Sequence, residues 1–364
     1  MYTGLSTFLM VVMFVEMWLY PALGFWSARQ RFEYKYIKLV IVTLLLTVLN
    51  AFLGVIAVQE IDTYKAEARI AASVIVVAII CGSIYLQNFL KGKKFFSKQI
   101  WLYALAFNIP LIPHYLSQAV LNQSDRIMID LFVGSHAAGI YGVAYSAGML
   151  LTIFNSALIG SITPWIYNLI KTKKFLGIAQ KINIILILVF LIVLMLILFA
   201  PEAIKVLATE EYYEAIYIVP PVAASVYFMF LYNVVCLIEF YFEKTKLVLI
   251  ASVSGALINI GLNIYFIPAF GYIAAGYTTL ASYILMSVMH YIFADRIQAK
   301  EKIYPKLVDK KLPIILSLIL ILFSILINFF YDNYILRYIV IILILIILTK
   351  KRKYIQMHIK ELKK

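Results

Sequence analysis

Charge is scarce in this sequence. Only 14% of its residues are Asp, Glu, Lys or Arg, against roughly a quarter in an average soluble domain, which excludes an ordinary water-soluble globule. Cysteine is rarer still. Cys81 and Cys236 are the two in the chain; each sits inside an apolar run with no ligand spacing around it, reads as a small packing residue, and says nothing about redox compartment. No Gly-rich phosphate loop, no His/Cys metal spacing and no nucleophile elbow occurs, so neither an enzyme nor a bound cofactor or metal is indicated. The loops between apolar runs are short and leave no room for an extramembrane catalytic domain. Ten-residue alternation of apolar and polar residues is also missing, which excludes a barrel. A cleavable signal peptide is not indicated either, because the first apolar run is too long and no basic stretch precedes it.

What fills the chain instead is hydrocarbon: 64% of residues are hydrophobic and the mean hydropathy is +0.94. The apolar residues fall in blocks of about 20, the length that spans a hydrocarbon core about 30 Å thick. Backbone polar groups must be satisfied internally there, so each block is expected to be a helix. The expectation is an all-α integral membrane protein with about eleven transmembrane helices, over 5–25, 37–58, 70–90, 100–122, 138–167, 181–200, 217–240, 247–267, 272–292, 312–331 and 334–349. Pro110 and Pro113 should kink the fourth.

The net charge of +14 invites a nucleic-acid reading, which the placement of the charges argues against. Alternate loops (26–38, 91–99, 171–181, 243–246, 295–311 and 350–364) hold 27 of the 32 basic residues. The other loops hold only Lys65, Arg69, Arg126, Lys205 and Arg337. By the positive-inside rule the first set is cytoplasmic, including the basic tail, and the pattern holds across all eleven spans. Anionic lipid headgroups are the natural partner of that face. Met1 then falls on the outer side, which suggests an odd number of helices before it.

Polar residues inside the spans are the candidates for function. His114, Gln118, Asn122 and Asp125 recur at spacings of four, four and three and share one helical face, with Arg126 beside it. Such a stripe either lines an aqueous path that offers donors and a cation to a polar substrate, or makes hydrogen bonds between helices; Asp125 and Arg126 could also pair with each other. Glu16 is the acidic residue nearest the centre of a span and is a candidate for ion coupling, with structural pairing the alternative. Glu239, beside Glu243 and Lys244, reads as interfacial. Asn259 and Asn263 form an i, i+4 pair among small residues and favour close helix packing. The run Tyr272, Tyr277, Thr278, Thr279, Ser282 and Tyr283 is too wet to face lipid.

The segment NIPLIPHYLSQAVLNQSDRIMID (Asn108–Asp130), followed by GIYGVAYSAGMLLTIF (Gly139–Phe154), resembles the start of the C-terminal lobe of oligosaccharide flippases, the O-antigen and capsule repeat-unit exporters of the multidrug/oligosaccharidyl-lipid/polysaccharide exporter superfamily. Pro21–Val40 resembles the same proteins' N-terminal lobe, and Ala200–Phe228, Phe240–Lys246 and Pro268–Leu280 resemble later parts of them. The resemblance implies a two-lobed bundle of the multidrug-exporter type around a central cavity. Residues 1–90 would be a partial N-terminal lobe, 91–99 a basic cytoplasmic linker and 100–292 a complete C-terminal lobe. A basic cytoplasmic loop at 293–311, two additional helices over 312–349 and a basic cytoplasmic tail at 350–364 would follow. The family's first three helices would be absent.

The implied activity is alternating-access transfer of a polyprenyl-diphosphate-linked oligosaccharide to the outer leaflet of the bacterial cytoplasmic membrane, with coupling to a Na+ or H+ gradient and with other glycan-assembly membrane proteins as partners. Arg126 would meet the diphosphate or sugar, and His114, Gln118 and Asn122 would contact hydroxyls. A multidrug or small-solute antiporter of the same superfamily and a non-transporting scaffold of a glycan-assembly complex are the competing readings.

Overall fold

The computed structural model describes residues 6–61, 63–94 and 96–350, and all regular structure among them is helical. The basic tail beyond Lys350 lies outside the described residues. Thirteen α-helices are formed among them: α1 (Thr7–Phe32), α2 (Tyr36–Glu60), α3 (Lys65–Gly92), α4 (Lys98–Asn108), α5 (Leu111–Phe132), α6 (Ser135–Lys171), α7 (Ile178–Leu198), α8 (Ala200–Leu207), α9 (Val219–Tyr241), α10 (Thr245–Phe270), α11 (Ile273–Lys300), α12 (Lys311–Leu326) and α13 (Tyr334–Lys350). Eight helices among the described residues are long and apolar enough to cross a membrane, and the apolar stretch Tyr334–Ile346 adds a shorter one. Each of the eleven expected blocks corresponds to a helix or helix pair. The fourth is broken as the prolines require: α4 ends at Asn108 and α5 begins after Pro110.

The chain divides into two units, Met1–Leu102 and Tyr103–Lys364. In the first, α3 packs against both α1 and α2. Its core is a thin apolar seam of Leu23, Leu46, Val76, Val77, Cys81 and Ile84. The opposite faces carry exposed Phe14, Phe25, Val48 and Phe52, the arrangement expected where the solvent is lipid. Arg69 reaches from α3 onto α2 and donates to Asn50 Oδ1 at 2.9 Å, and Asn50 donates in turn to Ser73 at 3.0 Å.

The second unit is built around α9. Eighty-nine per cent of its apolar window is buried, because α6, α7, α11 and α12 surround it. Close approach is set by glycines. A Cβ on Gly148 of α6 would lie 2.5 Å from Val222 Cγ1 on α9. Val222 is β-branched and buried, so it has few rotamers with which to yield. Gly148→Ala is expected to cost about 1–3 kcal/mol through overpacking; an unchanged thermal midpoint would show that α6 and α9 can part without loss.

The last helices dock onto the same unit. Tyr331 donates to the Ile197 carbonyl at 2.9 Å, and Arg337, buried at the start of α13, donates to the Leu198 carbonyl at 2.8 Å and forks onto both carboxylate oxygens of Glu202 at 2.9 Å. Burial by itself raises the Glu202 pKa, but the hydrogen bonds from Arg337, its own backbone and Tyr338 outweigh that and hold it below the ordinary carboxylate value. A depressed carboxylate stabilises the fold above its unfolded pKa and stops doing so as pH falls through the folded value. Stability should therefore decline on acidification below the ordinary carboxylate range, and less so in Glu202→Gln. Parallel acid-denaturation curves for the two proteins would refute this.

Candidate functional site

The helical spacing of α5 brings its polar stripe onto one side, and the structure shows what that side meets. Asp125 is 1% exposed. Its Oδ2 accepts from the Tyr141 hydroxyl of α6 and from Thr279 Oγ1 of α11, each at 2.5 Å. Its Oδ1 accepts from the side-chain amides of Asn263 at 2.7 Å and Asn259 at 3.3 Å, both on α10. A second layer closes around these groups. Ser124 donates to Asn259 Oδ1 at 3.0 Å, Asn263 donates to the same oxygen at 3.3 Å, Asn259 donates to Thr279 Oγ1 at 3.1 Å, and Thr278 donates to Asn263 Oδ1. Four helices thus converge on one carboxylate.

The rest of the stripe joins helices in the same way. His114 Nδ1 lies 2.9 Å from Ser252 Oγ of α10, and Asn122 Oδ1 accepts from Tyr145 of α6 at 2.8 Å. Gln118 lies beside the Tyr232 hydroxyl of α9, and its amide nitrogen is buried without a well-formed hydrogen bond. Arg126 turns away from Asp125. Its guanidinium lies 5.1 Å from the centre of the Tyr145 ring, Nη2 reaches the Gly142 carbonyl at 3.4 Å, and Nε is buried with no partner. An Asp125–Arg126 ion pair is therefore not formed among the described residues. The carboxylate is held by neutral donors, and the cation rests against an aromatic face.

Spacing alone could rank Asp125 as one member of a stripe, and the structure makes it the centre. Asn259 and Asn263, expected to serve packing, and Thr278 and Thr279, expected only to avoid lipid, are its neighbours. Tyr141 and Tyr145 were hidden among the 51 Tyr and Phe residues of the chain, where no single aromatic stands out. Glu16, in the first unit, is half-buried in α1 and makes no ion pair among the described residues; Cys81 is its electrostatic neighbour.

Glu239 departs from its interfacial expectation. The end of α9 turns it inward, where it is fully buried against His290 of α11. Asp125 is met by hydroxyl and amide donors, which suit a carboxylate, whereas Cys236, Glu239 and His290 gather a thiol, a carboxylate and an imidazole.

A second feature lies in the first unit. The ends of α1, α2 and α3 enclose a pocket of about 580 Å³ lined by Arg29, Lys35, Lys38 and Lys91, with Gln30, Gln87 and Asn88 among its polar walls and Val42, Leu45 and Ile80 among its apolar ones. Glu33 is the acid in the lining, giving a net charge of +3 over these five groups. Lys35 and then Arg29, each donating at 2.6 Å, hold the Glu33 carboxyl down to about 2. Lys38 and Lys91 make no ion pair among the described residues. From sequence, these lysines belong to separate loops and share only a topological reason; that they face one pocket is visible in the structure alone.

The sequence and the fold have counterparts among known proteins. Residues 4–170 match the family described as "Polysaccharide biosynthesis protein". "Lsg locus putative protein 1" of Haemophilus influenzae (strain ATCC 51907 / DSM 11121 / KW20 / Rd) is 26% identical over 229 residues, which is 59% of this chain and 55% of that protein. The fold is similar to a solved crystal structure of a mutant MATE protein, with a TM-score of 0.60 and 14% identity over 73% of this chain and 63% of that one. The first part of the chain is thus similar in sequence to polysaccharide biosynthesis proteins. The MATE likeness shows the fold alone. The chain spans a little over half the length of the curated relative it matches. The protein crosses the membrane several times.

Proposed function

We propose that this protein is the membrane component that moves a polyprenyl-diphosphate-linked oligosaccharide from the cytoplasmic to the outer leaflet of the bacterial cytoplasmic membrane, by alternating access driven by a Na+ or H+ gradient. The observation that carries this reading is the pocket of net charge +3 at the ends of α1, α2 and α3, placed where helix faces turn from polar to apolar. A diphosphate cannot enter hydrocarbon unaided. It can rest on lysines and an arginine at the boundary while its prenyl tail stays in lipid. The positive-inside distribution puts this pocket on the cytoplasmic side, where such a substrate is made. A multidrug antiporter handling organic cations would be poorly served by it, since like charges repel. The buried Asp125 cluster supplies the other requirement, a place where a cation or proton can be taken up and released.

Arg126 is assigned to the diphosphate or sugar, and His114, Gln118 and Asn122 to sugar hydroxyls, in a conformation that opens the second unit. Reconstitution with a fluorescent lipid-linked oligosaccharide tests the reading: wild-type protein should move label between leaflets, and Arg126→Ala should slow it about tenfold or more, the equivalent of one charge-assisted contact. Unchanged transport by the variant removes Arg126. Transport of organic cations instead of the glycolipid establishes the multidrug reading. Co-purification with glycosyltransferases, together with failure to complement a flippase deletion, establishes the scaffold.

A further inference from the structure

Glu239 and His290 lie outside every role assigned above. His290 Nδ1 is 2.7 Å from Glu239 Oε1, and both side chains are 0% exposed. Each also keeps one polar atom with no partner, Oε2 on the acid and Nε2 on the ring. The groups that face the pair are few. On α9 they are Cys236, one turn before Glu239, and Tyr232, whose ring stacks on His290 at 5.4 Å and 19°. On α5 the electrostatic neighbour is His114. The nearby contact from α10 is apolar, Val248 against Cys236. No Lys or Arg pairs with Glu239 among the described residues.

A lone carboxylate cannot remain ionised in such a place without a partner. The imidazole provides one, so the two groups hold a single proton between them and are neutral overall, as an ion pair or as two uncharged groups. A second proton can go only to Oε2 or Nε2, the two atoms left free, and it takes the pair from neutral to +1. Its loss restores the starting state, and no bond other than the one to hydrogen changes. We propose that Glu239 and His290 form a proton-binding site of the second unit, loaded and unloaded from the side of loops 243–246 and 295–311.

Position supports this assignment. Glu239 is two residues from the end of α9, close to the aqueous edge. In the other direction Tyr232 also stacks on Tyr283 at 6.2 Å and 9°. The Tyr283 hydroxyl is buried without a partner, and its electrostatic neighbours include Tyr145 and Asp125. The stacked rings of Tyr232 and Tyr283 therefore lie between the Glu239–His290 pair and the Asp125 cluster. The pair is one end of that column and Asp125 the other.

The proton site deepens the gradient-driven part of the proposed function, and its test uses no glycan, so failure of one is distinguishable from failure of the other. The full chain in lipid nanodiscs would be followed by infrared pH-difference spectroscopy. Carboxyl and imidazole bands should change together in the wild type, the part of the carboxyl signal that belongs to Glu239 should be missing in Glu239→Gln, and His290→Asn should move the midpoint of that part by about one pH unit or more. Superimposable difference spectra for wild type and a folded Glu239→Gln overturn the proposal.

Because that variant could fail to fold, the wild type is also treated with dicyclohexylcarbodiimide, which attacks protonated carboxyls in apolar surroundings, and the adduct is mapped by mass spectrometry. Labelling of Glu239 that rises on acidification is expected; none at any pH overturns the proposal. Stoichiometric zinc retained by the purified chain and lost in Cys236→Ser would also overturn it, replacing the proton by a metal.

Discussion

Replacing Asp125 by alanine is expected to cost about 2–5 kcal/mol and to end gradient-driven transport. Each abandoned buried donor costs about 1–3 kcal/mol when nothing takes its partner's place. Asn259 and Asn263 keep second acceptors in Thr279 Oγ1 and Asn259 Oδ1, so the loss falls mainly on Tyr141 and Thr279, whose hydroxyls point at the missing carboxylate. Thermal unfolding in one detergent, wild type against variant, reads the stability part; equal midpoints would mean that the network is slack. Asp125→Asn separates structure from coupling. It keeps the size and one acceptor oxygen but cannot carry charge, and its NH2 meets hydroxyls that must turn to accept, so it should melt between Asp125→Ala and wild type while losing its response to an imposed Na+ or H+ gradient. A gradient response retained in that variant would make Asp125 a structural tie and nothing more.

Reversing two charges in the pocket of the first unit should have an effect of similar size on a different observable. Lys38→Glu combined with Lys91→Glu takes the pocket from a net +3 to −1, because each exchange removes one positive charge and adds a negative one. A unit charge at about 4 Å is worth about 1 kcal/mol even in water, and each 1.4 kcal/mol is about tenfold in affinity. Apparent affinity for a diphosphate-linked lipid should fall by tenfold or more, with Lys38→Gln and Lys91→Gln lying between. Raised salt should narrow the gap, since the site is open to solvent. Folding should be little affected, as neither lysine makes an ion pair among the described residues. A double reversal that leaves glycolipid transport intact would take the pocket off the substrate's route.

The two units differ in how far their sequences reveal their chemistry. In α5 a period of roughly four residues marks one face, and His114, Gln118, Asn122 and Asp125 do share a side. Periodicity names the face of a helix but not the helix opposite it. The donors to Asp125 come from positions 16 to 154 residues further along the chain. Nothing local distinguishes Tyr141 or Thr279 from other residues of their type. Glu239 shows the reverse difficulty: its neighbours Glu243 and Lys244 suggest an aqueous boundary, yet the rotation of α9 places it against His290. Arg337, the lone basic residue of its loop, likewise became a buried clamp on Glu202.

By itself the sequence determined that this is a multi-pass helical membrane protein, where its helices lie, and where prolines break the fourth span. Those properties follow from the length of apolar blocks and the cost of unpaired backbone in lipid, which act residue by residue. Tertiary structure alone decided that Asp125 is ringed by neutral donors rather than paired with Arg126, that lysines from separate loops share one pocket, and that Glu239 faces a histidine. In lipid every apolar helix face is equally acceptable outward, so hydropathy does not choose a helix's rotation; the few polar side chains that must find each other across helices do.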